Sequence, residues 1–502
     1  MFVFSYMNIE ENLKIIERYQ KEILLLSRAD ALLGWDEQTY MPSDAASHRA
    51  EQHALLEGIV HERLTCDEFS CIVEDVLKGD LGEDVRVGVL NVEKKILKAK
   101  RFPKEFVERL ARANSEGFNS WQKAKKNSDF SIFVPYLEKI IEMKKEEVEY
   151  NNIDGHKCNG LIDDFEEGMT VEKLEPIFSE LKIELIKLLK RIEASDKYKG
   201  QVAREYSFDY ESQVKCSHRL SEIMGFSETS FRIDAAEHPF STNLGVGDLR
   251  ITTNFKKGII DNISSSIHEM GHALYESNFK EEDKFNFLGN SPSYGLHESQ
   301  SRFWENMVGK GLSFQHYFFP EIVELFNFKE KFEDWYFNLN LVEKGKIRIE
   351  ADEVHYCLHV ILRFELEKDL IEGSIEVKDL PRIWNEKMRE YFGVDIENDS
   401  EGVLQDVHWS CGMFGYFPSY ALGSIYAVQL YNKMKEDLGD IEGDIFEGYF
   451  SRVVDWLKSN VHVHGARKLA DDLVRDVCGE GLNPEVYVNY LNEKYGRIYE
   501  LD

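Results

Sequence analysis

Apolar side chains recur every three or four positions from Ile9 to about Ser27, and the same period runs through residues 82–127, 131–151, 171–194 and 331–373. That spacing lays one apolar stripe along a helix, so these segments predict amphipathic helices, several of them long. Two-residue alternation is scarce, and its best instance is Leu249 to Thr253, just after a glycine-rich turn. Only 10 prolines interrupt 502 residues, and proline is a strong breaker of long helices. No internal repeat, low-complexity tract or Pro/Gly/Ser linker divides the chain. The pattern predicts a mostly α fold with minor β, as one unit over residues 1–502.

Charge narrows the partners. The chain has 92 acidic and 61 basic side chains, a formal net charge of −31, and no basic patch stands out. Nucleic acid and anionic membrane surfaces, both held through Lys and Arg, are excluded as partners. The charge runs at 144–149 and 280–284 predict solvated helix faces or turns. Seven cysteines, an odd number with no CxxC pair, fit neither a disulfide framework nor a cysteine metal site and predict a reducing compartment. The segment MFVFSYMNIEE lacks a basic leader and a small-residue cleavage site, so a cytoplasmic location is expected. From Val407 to Asn432 no charged residue occurs. The run is long enough for a bilayer, but its His, Gln, Gly, Pro and Tyr content predicts buried protein interior instead.

The chemistry concentrates in SSSIHEMGHALYE. His268 and His272, four apart on a helix, reach one ion from one face, and Glu269 sits beside the water on it. Ile260, Ile263, Ile267, Gly271 and Leu274 mark the buried stripe of that helix. A catalytic zinc site takes three protein ligands. Glu276 lies ~12 Å along the helix from His268, too far to share the ion, and Asn278 stands where an extended HExxHxxGxxH pattern needs histidine. The third ligand therefore comes from another helix. His297 and Glu298 are adjacent and point ~100° apart, so only one serves; Glu298, about 25 residues after the second histidine, is chosen over His297. Glu305 and Glu276 are the candidates to orient an imidazole.

Six segments in order, HPF at 238–240, DLRIT at 248–252, HEMGH at 268–272, HESQ at 297–300, IRIEAD at 347–352 and GVLQDVHW at 402–409, resemble the thermostable carboxypeptidase 1 family, the carboxypeptidase Taq metallopeptidases. LLGWDEQTYMPSDAASHRA at 32–50 is similar to that family's N-terminal segment, so the likeness covers nearly the whole chain. The resemblance implies a cytoplasmic, metal-dependent carboxypeptidase of broad specificity, usually a homodimer, with one zinc or cobalt ion per chain. It also implies a helical body of two lobes flanking a deep groove, as in angiotensin-converting enzyme and neurolysin. Many related HExxH enzymes carry an acidic residue four positions after the glutamate ligand. Here that position is Arg302, which leaves open which carboxylate orients His268 or His272.

Peptide hydrolysis then assigns roles. Glu269 is the expected general base. His408 and Tyr420, by similarity to the converting-enzyme group, face the tetrahedral intermediate, and Tyr416 contacts substrate; Tyr426 and Tyr431 are expected in the core. A free C-terminal carboxylate calls for the planar fork of arginine. Arg348 and Arg250 are the candidates, unless Arg348 is spent on Asp352 and Arg250 on Asp248. His238 is expected as a groove-wall or structural residue, and His462 and His464 in surface or buried structural roles. An oligoendopeptidase with the same metal chemistry, or a silent metal-stabilised binding protein, are the competing readings. The net charge further predicts that acidic C-terminal residues are poor substrates.

Overall fold

The computed structural model describes residues 8–255 and 258–501; the first seven residues, which begin the segment weighed as a secretory signal, lie outside them. Helices dominate. The N-terminal period continues past Ser27 as one helix, α1 (Ile9–Thr39), followed by α2 (Ala46–Thr65), α3 (Asp67–Leu77) and α4 (Glu83–Lys100). Ile16, Ile23, Phe69, Val73, Val76, Val89, Val92 and Ile96 close a small apolar core between α1, α3 and α4. The 82–127 pattern is two helices, because Pro103 starts a new one at Lys104–Asn127. Segments 131–151 and 171–194 form helices Val134–Asn151 and Val171–Ala194 as expected.

The 331–373 pattern is not continuous. A helix at Phe332–Leu339 ends, a loop with a 3-10 turn at Arg348–Glu350 follows, and a second helix runs from Glu353 to Glu372. Asp352 supplies the break: its carboxylate accepts the backbone N–H groups of Val354 at 2.9 Å and His355 at 3.1 Å, a side-chain N-cap. From Glu353 to Phe364 this central helix is buried on every side, with Arg363 and Cys357 as inaccessible as Leu358 and Leu362. That stretch has no polar face, so periodicity does not mark where the helix starts.

Both charge runs depart in part from expectation. Lys144 and Glu147 are buried and paired at 2.7 Å, because the packed helices around Val134–Asn151 leave that face no water. In 280–284, Asp283 is likewise buried against Arg467. No helix among the described residues is long and apolar enough to cross a membrane, and the seven cysteines are unpaired.

The predicted strand belongs to a three-stranded sheet in the order β1 (Phe231–Ala235), β3 (Asp248–Thr253), β2 (Ser241–Gly245), parallel between β1 and β3 and antiparallel between β2 and β3. The sheet positions the metal motif. Thr253 at the end of β3 bonds Ser265 at 2.8 Å and receives Asn262 at 3.3 Å, both from the motif helix Ile259–Ser277. Trp35 of α1 packs on Phe240 beside it, ring centroids 5.2 Å apart.

Candidate active site

Two glycines let three helices meet at the motif. A Cβ on Gly271 would lie 2.7 Å from the Gln300 carbonyl oxygen and 2.8 Å from Ser301 Cα, so only glycine lets the motif helix approach the helix Tyr294–Arg302 this closely. A Cβ on Gly423, in the helix Phe417–Leu438 formed by the uncharged run, would lie 2.6 Å from Glu298 Cγ. Glu298 is thus held between two helices and directed at the third. Gly423→Ala is expected to displace that carboxylate, lowering metal content and destabilising the fold by about 1–3 kcal/mol; metal analysis of the purified variant beside its melting curve checks this.

Glu298 Oε2 lies 3.7 Å from His268 Nε2 and 3.6 Å from His272 Nε2, and the three donor atoms fall within 4.8 Å of one another. The outer nitrogens are engaged. His268 Nδ1 bonds Glu305 Oε2 at 2.9 Å and His272 Nδ1 bonds the His297 carbonyl at 3.1 Å, so each imidazole turns its Nε2 lone pair inward. Two imidazole nitrogens and one carboxylate oxygen make a donor set that fits zinc.

The open question about Arg302 is resolved by a network. Its Nε donates to Glu298 Oε1 at 2.8 Å, which leaves Oε2 for an ion, and its NH1 reaches Glu305 Oε2 at 3.3 Å. Glu305 sits where Tyr294–Arg302 widens into π turns at Phe303–Gly309, a distortion frequent at functional sites. Burial raises its carboxyl, but Lys310, Arg302 and His268 outweigh this and hold it well below the usual range. Glu276 takes another part: it bonds His297 Nε2 at 2.8 Å, and His297 stacks on His272 with centroids 4.1 Å apart. His297 therefore supports the site from behind, and Glu298 faces it.

Glu269 is buried on the same helix. Burial pushes its carboxyl up to about 7, His268 opposes, and Glu298 adds to the rise. A base poised near neutrality is what proton transfer to and from water requires.

The uncharged run forms a second wall. His408 lies in a 3-10 turn at His408–Cys411, and its Nε2 is 3.3 Å from Tyr420 Oη. Burial, aided by Arg348 against Asp406, holds the His408 imidazole down to about 3, so it is neutral. Tyr416 stacks with His408 at 5.5 Å and meets Tyr420 edge-on at 5.1 Å. Tyr420 precedes Gly423 by three residues and so shares its face, and the Glu298 charge acts on both tyrosines. Tyr426 and Tyr431 are buried in the core.

Arg348 is buried, and its partner is Asp406 rather than Asp352, which caps the central helix. Its Nε and NH2 bond Asp406 Oδ1 at 3.0 and 2.9 Å, and its NH1 faces Tyr356 Oη at 3.4 Å. Arg363, fully buried, holds the other oxygen of Asp406. The Arg302 guanidinium lies 4.0 Å above the Tyr356 ring, which links the metal motif to this basic cluster. Arg250 takes its local partner, with Nε and NH2 on the two oxygens of Asp248 at 2.7 and 2.8 Å. His238 is exposed. His462 is buried between Asn278 at 3.2 Å and Gln300 at 3.0 Å, in a 3-10 turn. A cavity of about 1080 Å³ elsewhere, lined by Arg204, Met307, His316 and Lys494 among others, contains none of the predicted site residues.

Asp406, Tyr356, Arg363 and Lys310 escaped the sequence reading. Only Asp406 had a visible signal, as the last acid before the uncharged run.

A helical body presenting an HExxH pair and a distant glutamate to one point defines a metallopeptidase site. Residues 15–495 match the family model described as carboxypeptidase Taq (M32) metallopeptidase. The chain is 37% identical to carboxypeptidase 1 of Bacillus subtilis strain 168, over 97% of this chain and 100% of that one. It is 36% identical to thermostable carboxypeptidase 1 of Thermus thermophilus, over 96% and 98%. It also superposes on the crystal structure of the M32 carboxypeptidase from Deinococcus radiodurans with a TM-score of 0.94 at 32% identity, covering 98% and 100% of the two chains. The chain belongs to the carboxypeptidase Taq family and is a metal-dependent carboxypeptidase with that family's large helical fold.

Proposed function

We propose that the protein, acting as one catalytic unit over its whole length, releases single amino acids with broad specificity from the free C-termini of peptides. The observation carrying this reading is the convergence of His268, His272 and Glu298 within 4.8 Å beside the buried Glu269. Zinc, with cobalt as the alternative, is the ion these three residues hold. When bound it polarises the scissile carbonyl and acidifies water.

Glu269 accepts one proton from the attacking water as the new C–O bond forms. It returns that proton to the amine nitrogen as the C–N bond breaks, so the released residue leaves as a neutral amine. His408, neutral because of its burial, and Tyr420 donate hydrogen bonds to the oxygen on which charge develops. Tyr416 flanks the same wall and contacts the substrate. Arg348 keeps one edge of its guanidinium after binding Asp406, and that edge receives the substrate carboxylate. Arg250, with two of its nitrogens on Asp248, is the second candidate. Cytoplasmic residence and a homodimer complete the reading.

A peptide with a free C-terminus is expected to be trimmed from its end, while its C-terminal amide is cut at least roughly 100-fold more slowly, because the carboxylate is the group held by arginine. Mass spectrometry of both digests decides this, and equal cleavage of the two at internal bonds would establish an oligoendopeptidase. Matched peptides ending in Arg and Glu test the effect of the net charge of −31. Release of Arg is expected to be the faster, by roughly threefold or more at low salt, and faster release of Glu removes the argument.

A further inference from the structure

The loop 409–415 separates the two halves of the second wall: His408 precedes it and Tyr416 follows it. Its fold is set from within by Gly412 N–H to the Trp409 carbonyl at 3.1 Å and Met413 N–H to the His408 carbonyl at 3.0 Å. From outside, among the described residues, its side-chain hydrogen bonds come from one residue. Glu367, on the central helix and 4% exposed, accepts Trp409 Nε1–H on one carboxylate oxygen at 2.8 Å and Gly415 N–H on the other at 2.9 Å. These are its two hydrogen bonds among the described residues, and both go to this loop. Gly415 has φ +88°, and a Cβ there would lie 2.4 Å from the Leu161 carbonyl oxygen. The chain is thus pressed against Leu161 at the point where its N–H meets Glu367.

A carboxylate inside a helical core is costly beside an apolar residue of the same size, unless its hydrogen bonds hold something that packing alone does not. What these two bonds hold is the pair of residues next to His408 and Tyr416. The 3.3 Å separation of His408 Nε2 and Tyr420 Oη is at the long end for a hydrogen bond, so a loop shift of about 1 Å would take both donors off a shared acceptor. We infer that Glu367 is a positioning residue for hydrolysis: by clamping Trp409 and Gly415 it sets the spacing of His408 from Tyr416 and Tyr420 and so aims the donors at the developing oxyanion. The inference rests on the roles given to His408 and Tyr420 above.

Glu367→Gln keeps the shape but offers one acceptor oxygen, so its amide NH2 faces one of the two donors unpaired. With the metal-loaded enzyme and a free C-terminal peptide, kcat is expected to fall roughly tenfold or more while KM stays within about twofold, at unchanged metal content. Because the clamp acts through His408, the double variant E367Q/H408A is expected to be no slower than H408A alone. Trp409→Phe removes one clamp donor from the other side and is expected to lower kcat in the same way, which keeps the test open where E367Q fails to fold. Wild-type kcat in E367Q or W409F, or losses that multiply in E367Q/H408A, overturn the clamp while leaving the oxyanion assignment in place. Wild-type kcat in H408A overturns that assignment and the inference with it.

Discussion

Glu269→Gln is expected to lower kcat by about 10²–10⁴-fold while the protein keeps its metal and its fold. The amide matches the carboxylate in size and remains buried in the same turn of the motif helix, but it accepts no proton from water. His268, His272 and Glu298 take no hydrogen bond from Glu269, since their supports come from Glu305, the His297 carbonyl and Arg302. The cluster therefore survives the change. Steady-state kinetics with metal analysis on the same sample checks both halves. Turnover close to wild type would exclude Glu269 as the base, and a catalytically silent binding protein would show no turnover in either form.

Glu298→Ala is expected to be the more damaging change, because it removes a metal donor and disrupts its surroundings together. Loss of a partner that merely orients a ligand costs about 10–100-fold in metal affinity, so loss of the ligand itself is expected to exceed about 100-fold. The fold suffers as well. Arg302, largely but not fully buried, loses the bond from its Nε to Glu298 Oε1 and keeps only Glu305 as a carboxylate partner; breaking a fully buried ion pair from one side costs about 3–5 kcal/mol, so a loss of up to about 3 kcal/mol is expected here. Competition with a chelator measures the first effect and thermal unfolding of the metal-free proteins the second. Wild-type metal affinity in this variant would remove Glu298 from the ligand set and return His297 to consideration.

These variants also mark where the site was legible. His268, Glu269 and His272 lie within one local helix, so their spacing alone places them on one face. Glu298 lies on another helix, so only its distance of about 25 residues from the second histidine favours it over the adjacent His297, which stacks on His272 in the structure. The basic cluster shows the same division. Arg348 and Arg250 were visible as arginines in patterned segments, and the local partner expected for Arg250 is the one it takes. Arg348 pairs instead with Asp406, 58 positions away, because nearby Asp352 is occupied as a helix cap. The buried Lys144–Glu147 pair escaped because periodicity reports a boundary with water and these two side chains have none; the break in 331–373 escaped because it is made by the Asp352 side-chain cap, which apolar spacing does not report.

The sequence by itself determined the helical class, the motif helix, the charge-free wall and the metallopeptidase resemblance, because each is written in residue types at short spacing. Which group turns each imidazole, which oxygen of Glu298 faces the cluster, and how Glu367 holds the loop between His408 and Tyr416 were decided only by the tertiary structure. Most of those contacts join residues far apart in the chain, as where Gly271 lets the motif helix touch Gln300 and Ser301 and Gly415 lets the loop touch Leu161, and no local rule of spacing encodes a distance set by packing.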